Sequence, residues 1–223
     1  MSRTFWRRAA VATALMTAGV FSVGCGPGTW WHLLKGDETM KAEHPLTPPE
    51  GKKEVVVAVS VTAAHGVPAG ADLDLAGKIG SQLKVLAETN KGTKIVVVDQ
   101  SKVNNFKTSD PNRWNTGNPG DFARQLGADY WLDVTVESLK LTDRELGGEI
   151  CRGSAAMQVA VYEAGKGEPK YSYPLTHQAQ LKPTDVSQLN LYRNQYIGQL
   201  ATELAFRHVN YKGDQKRAQE KGL

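Results

Sequence analysis

The sequence is poor in the residue patterns that carry catalysis. Only two cysteines, Cys25 and Cys151, stand among its 223 residues, enough for at most one disulfide. The five histidines, His32, His44, His65, His177 and His208, never pair at helical zinc-binding spacing, and neither HExxH nor CxxC occurs. No GxSxG elbow is present. At Gly77-Lys78 the next residue is Ile79, and Asp72 stands where a phosphate loop needs its first glycine, so there is no Walker motif. The apolar stretch at 9–23 falls short of the roughly 20 residues that a membrane-spanning helix needs. The formal net charge is +4, partly held by Arg3, Arg7 and Arg8 and otherwise spread along the chain, so no nucleic-acid footprint is visible. We therefore expect a non-enzymatic protein with no catalytic residue, no metal and no cofactor.

Hydrophobic content of 40% and charged content of 22% suit a folded soluble core. The length allows one ordinary domain with accessory segments. The N-terminus has the order of an export signal: a cationic start, the apolar stretch 9–23, then Gly24 and Cys25. Ser22-Val23-Gly24-Cys25 resembles the cleavage box of bacterial lipoprotein signal peptides, with Ser22 where those usually carry Leu. The resemblance implies cleavage before Cys25 and a lipid on its thiol. The alternative is an ordinary secretory signal with Cys25 incidental. The Arg7-Arg8 pair raises the twin-arginine route, but Trp6 and Ala9 flank it poorly. Acyl chains contribute about 0.8 kcal/mol per buried methylene, so two or three of them hold a protein on a bilayer. Gly26 after the lipid site leans towards the outer membrane, by resemblance to lipoprotein sorting. Cys151, left without a partner, reads as a small buried apolar residue.

Residues 26–53 hold Pro27, Pro45, Pro48 and Pro49 and read as a flexible tether. Fully stretched, such a chain spans about 90 Å. Trp30, Trp31, Leu33 and Leu34 make an apolar knot in it, suited to the lipid interface or to a partner. The expected organisation is a signal peptide at 1–24, a lipid anchor and tether at 25–53, an α/β domain at 54–211 and a charged tail at 212–223. There is no internal repeat and no second domain.

Within the domain, β-branched runs at 54–61 and 94–99 read as buried strands. Between them Leu75, Ile79, Leu83 and Leu86 recur at helical spacing, with Asp72 as the expected N-cap. Residues 100–106 suggest a helical turn, and 108–119 a polar loop. A short helix at 121–126 ends at Gly127. Leu132, Val134 and Val136 then alternate with Asp133, Thr135 and Glu137 in a third strand. The alternation slips at Leu139 and Leu141, which predicts a bulge near Ser138. Residues 144–149 read as a turn. Ala155, Met157, Val159 and Val161 mark a fourth strand, Gly165-Lys166-Gly167 a hairpin turn, and Tyr171, Tyr173 and Leu175 a fifth strand. Pro183, Thr184 and Asp185 lead into a last helix, with a core stripe through Leu189, Tyr196, Ile197, Leu200, Leu204 and Val209. The expected fold is α/β (α+β), a single mixed sheet in the order β-α-β-α-β-β-β-α with helices covering one face.

That order, with the element Leu126-Gly127-Ala128-Asp129-Tyr130 running from helix to strand, resembles a set of bacterial envelope proteins. The set holds the lipoprotein activators of penicillin-binding proteins, the curli secretion-channel lipoproteins and the N-terminal domain of the Tol propeller protein. The strand pair at 157–173 resembles their lid hairpin. The chain lacks the two long amphipathic hairpins that a channel's barrel needs. The resemblance implies a lipid-anchored module facing the periplasm. Its partners are the membrane, through Cys25, and a protein of cell-wall synthesis or envelope assembly; nucleic acid is not expected. The alternatives are a subunit of an outer-membrane secretion or assembly complex and an envelope hydrolase. The residues singled out for partner binding are Arg113 and Trp114, types enriched at interface hot spots; Trp114 can equally pin its loop to the core. Asp129 and Asp133 read as capping or solvated carboxylates, and His208 as a helix-end residue in a capping or core role.

Overall fold

Val55, Val57, Val59 and Val61 alternate with Val56, Ala58 and Ser60, and both sets need cover. The computed structural model, which describes residues 39–90, 93–142, 150–179, 184–213 and 215, supplies it on both sides. Strand β1 (Thr39–Met40) precedes β2 (Glu54–Ala63), which lies between two parallel neighbours, β3 (Lys94–Val97) and β4 (Tyr130–Thr142). An antiparallel meander follows through β5 (Ile150–Glu163) and β6 (Pro169–Gln178), giving the order β3-β2-β4-β5-β6, with the short β7 (Thr184–Asp185) also on β5. The fold is thus a mixed α/β domain on one open sheet, as its sequence indicates.

The first face is covered by helices α1 (Ala71–Thr89) and, after a short turn, α5 (Leu189–His208). Leu75, Ile79, Leu83, Tyr196, Ile197, Leu200 and Leu204 pack there with Val57, Val59, Leu132, Val134, Met157 and Val159. The other face is covered by α2 (Gln100–Ser109), α3 (Pro111–Thr116) and α4 (Pro119–Gln125). Its core is smaller: Ala58, Val103, Phe122, Ala123, Ala128 and Trp131. Helices therefore lie on both faces rather than one, because the period-2 alternation of β2 and β4 puts apolar side chains on both.

Several local expectations change. Gly70, with φ 74°, caps α1, and Asp72 sits inside the first turn, where its charge suits the helix dipole. Residues 100–106 belong to a full helix. The expected polar loop at 108–119 contains α3: the Asp110 side chain accepts from the Arg113 N–H, and Pro111 takes the first helical position. The bulge between Val136 and Ser138 is present. The turn at 144–149, Pro183, Cys25 and residues 216–223 lie outside the described residues. The largest departure is at 39–53, expected as tether, which packs on the domain. Its β1 pairs antiparallel with β8 (Tyr211–Lys212), and Leu46 is 5% exposed.

Candidate binding surface

The element from α4 into β4 is set by backbone chemistry. Gly127 has φ 69°, a conformation that costs a Cβ-bearing residue energy. It lets Ala128 N–H reach Ala123 O at 2.9 Å and Gly127 N–H reach Arg124 O at 3.2 Å, closing the helix end as a Schellman motif. Asp129 then starts the sheet. Its N–H donates to Val56 O at 2.7 Å, its Oδ2 accepts from Val56 N–H at 2.8 Å, and its Oδ1 takes the Lys52 ammonium at 2.6 Å. With both oxygens so used, Asp129 fastens the strand entry and the strap at 39–53.

Asp133 is half-buried on the second face, between Ser60 of β2 and Ala160 of β5. Burial pushes its carboxyl above the usual range, opposed by the Lys107 ammonium and by the Ser60 hydroxyl and Trp131 indole N–H. Neither of those two donors closes a full hydrogen bond to a protein acceptor. Burial lowers Lys107, which donates to Val61 O at 3.1 Å and lies over the Trp114 ring at 4.9 Å. The group is a packed polar plug under α2. Among the described residues there is no group of three or more His, Cys, Asp or Glu able to hold a metal ion.

Trp114 sits with its ring stacked on Phe122 at 5.3 Å and tilted against Trp131 at 5.6 Å. It is half-buried, while its neighbour Arg113 is exposed on α3. Trp114 thus pins α3 to the smaller core, and Arg113 supplies the exposed charge. Cys151 is fully buried, with its thiol pushed up by burial and by Asp185.

Two places not foreseen in the sequence lie at opposite ends of α5. The first is the clasp that holds the strap. His44 N–H and Leu46 N–H donate to Arg207 O and His208 O at 2.8 and 3.1 Å. The buried His208 ring bonds the His44 carbonyl through Nδ1 at 2.9 Å and the Tyr173 hydroxyl through Nε2 at 3.0 Å. Since Nδ1 must donate to a carbonyl, Nε2 accepts and Tyr173 donates. The His44 ring stacks on Tyr173 at 4.3 Å, and Arg207 pairs with Glu43 at 2.7 Å. Burial lowers His208 to about 4. Tyr130 adds a 2.9 Å bond to Thr47 O. Leu46, isolated among polar residues and prolines, was the one sequence signal of docking.

The second is a cleft of about 870 Å³ at the N-terminal end of α5, walled by His65, Gly66, Pro68, Leu189 and the far end of the β4–β5–β6 meander. It arises because β4 outlasts β2. The last rung between them is Ala64 N–H to Val136 O at 2.8 Å, after which the chain turns away through Gly66 and Pro68. All of residues 137–142 border the cleft. The length mismatch between the β-branched run at 54–61 and the longer alternation from 132 onwards was readable in advance.

No family model and no curated protein matches this chain. Among solved structures it is similar to the PelC dodecamer from Paraburkholderia phytofirmans, at 12% identity over 73% of this chain and 94% of that one, with a TM-score of 0.42. It is similar to lipoprotein GNA1162 from Neisseria meningitidis, at 12% identity over 66% of this chain and 98% of that one, TM-score 0.41. The LpoB C-terminal domain from Salmonella enterica matches at 16% identity over 58% of this chain and 87% of that one, TM-score 0.36. Bacterial lipoproteins are thus among the structures that the chain resembles.

Proposed function

We propose that the chain is a lipid-anchored cell-envelope protein whose α/β domain binds a protein partner facing the periplasm, in cell-wall synthesis or envelope assembly. The observation that carries the reading is the order of cationic start, apolar stretch, Gly24 and Cys25, followed by a domain whose strap at 39–53 is clasped at one end. The cleft of about 870 Å³ opens at the other end of α5, a helix of 20 residues and so about 30 Å long. The strap begins at Thr39, paired to β8 at the clasp end of α5. Holding a domain on a membrane raises its local concentration near partners in the same layer. Arg113, beside the pinned Trp114, is a second contact point, and Gly26 after the lipid site supports outer-membrane placement by resemblance to lipoprotein sorting.

The test is fatty-acid labelling of the wild type and Cys25→Ala, followed by crosslinking in cells. Label on the wild type alone, with a crosslinked protein lost from the variant, is expected. An unlabelled wild type overturns the anchor. Sizing of the detergent-extracted protein addresses the rival reading, since a large ring points to a secretion or assembly complex.

A further inference from the structure

We propose that protonation of His208 releases the strap at 39–53 from the domain while the sheet stays folded, so that the clasp is a proton-sensitive latch. The strap is held much as a separate peptide would be. Its bonds run to residues far along the chain: the ladder of Thr39 and Met40 with β8, Ala42 N–H to Asn210 Oδ1 at 2.9 Å, His44 and Leu46 N–H to the last carbonyls of α5, and the Tyr130 hydroxyl to Thr47 O. Its joint to β2 is a turn, with Lys52 N–H on Pro49 O at 3.0 Å and Gly51 at φ 80°, and residues 50–53 are exposed. What stays behind has its own support. Tyr196, Ile197, Leu200 and Leu204 hold α5 in the main core, and Val209 N–H closes the helix end on Ala205 O at 3.0 Å.

His208 ties the strap to the sheet. It is the last residue of α5, buried, with Nδ1 on the His44 carbonyl and Nε2 on the Tyr173 hydroxyl. The neutral ring satisfies both. A proton added at Nε2 turns that acceptor into a donor, so the Tyr173 hydroxyl proton must swing away. Among the described residues, the titratable and charged groups around the ring are Glu43 and His44 of the strap, Tyr173 of β6, and Glu203 and Arg207 of α5; Tyr211 of β8 packs on Phe206 instead. Both carboxylates go to Arg207, at 2.7 and 3.6 Å, while Arg207 and His44 oppose a further positive charge. With the strap in place the imidazolium is therefore disfavoured, and the ring titrates at about 4. With the strap off, water reaches the ring, and the helix dipole favours a cation in the last turn. The ring then returns towards its ordinary value of about 6.5. Acidification thus favours release, about tenfold for each pH unit below 6.5 until the pH nears 4. The latch is built from domain residues alone, so it stands or falls independently of a lipid on Cys25.

The test is hydrogen exchange of the full chain in detergent, read by mass spectrometry on the segments 42–47 and 54–63 at pH 7, 6 and 5 and corrected for intrinsic exchange. That window stays above the usual carboxylate range. Expected is an opening constant for 42–47 that rises about thirtyfold from pH 6.5 to 5, with 54–63 unchanged. His208→Gln should flatten the rise. His44→Gln, which leaves the His44 carbonyl in place, should keep it. A wild-type strap whose exchange does not depend on pH overturns the proposal, whatever the variants do. Segments 42–47 and 54–63 quickening together overturn it too, since acid then unfolds the whole domain. A rise that survives His208→Gln, or that only His44→Gln removes, places the proton elsewhere and also overturns it.

Discussion

The two ends of α5 are finished in opposite ways. At the His208 end the ring uses both nitrogens, the last helical carbonyls are taken by the N–H groups of His44 and Leu46, and Tyr173 and Arg207 close over the strap. At the Leu189 end the helix borders a polar cleft, and the neighbouring β4 runs past its partner with an edge unmatched by β2. What differs, among the described residues, is whether outlying backbone groups meet a partner. Where they do, a segment rich in proline and charge is ordered without a large apolar face. Where they do not, the edge of β4 borders the cleft.

The sharpest way to break this contrast is at the clasp. Leu46→Ala is expected to lower stability by about 3 kcal/mol, because it empties a buried position in the main core. Urea unfolding followed by tryptophan fluorescence reads the shift, and a loss under 1 kcal/mol would mean that the strap only rests on the domain. Acid comes next. His208 is held at about 4 against an ordinary value of about 6.5, so the unfolded chain binds the extra proton first. Stability contributed by the neutral ring is complete above about pH 6.5 and falls by about 3 kcal/mol as pH drops to about 4. Asp133, raised by burial, acts with the opposite sign. The diagnostic is therefore the difference between wild type and His208→Gln, which should lose the share of the slope between pH 6.5 and 4 that this ring contributes, while His177, also lowered by burial, keeps its own share in both.

Beside the cleft, where the meander packs on the start of α5, Gly153→Ala is expected to cost about 1–3 kcal/mol. An added Cβ there would meet the Tyr196 ring at 2.7 Å, and Gly153 N–H already holds the Tyr192 hydroxyl at 2.6 Å. Thermal unfolding measures it, and an unchanged midpoint would show that the ring can retreat. The smallest effect belongs to the cleft. Lys140→Ala should change stability by less than about 0.5 kcal/mol, since the side chain is exposed. A larger loss in the same melt would make Lys140 part of the scaffold rather than of an open edge.

The sequence carried the sheet well, because its strands are long alternations. Even the slip from Val136 to Leu139 reads correctly as the bulge. Two things hid the rest. Helix α3 is short and has no buried residue, so hydrophobic periodicity is silent and only Asp110 and Pro111 announce it. The clasp joins residues 164 positions apart, such as His44 and His208, and no local pattern encodes a bond of that span. Trp114 shows the limit at the candidate site. Composition marks it equally as anchor or hot spot, and its stacking on Phe122 shows it serving as an anchor within the domain.

The docked strap also sets a length. If Cys25 is the lipid site, the chain between it and the first residue of β1 can extend at most about 45 Å, against about 90 Å were everything up to β2 free. Clasped and unclasped forms would thus behave as one leash with two lengths. Pulling from the membrane side loads first the two-residue ladder of β1 on β8, then the bonds at His44 and Leu46, one after another. Contacts loaded in sequence yield at lower force than contacts loaded together, so a partner beyond the short reach could draw the domain outward by peeling the strap and leave the sheet undisturbed.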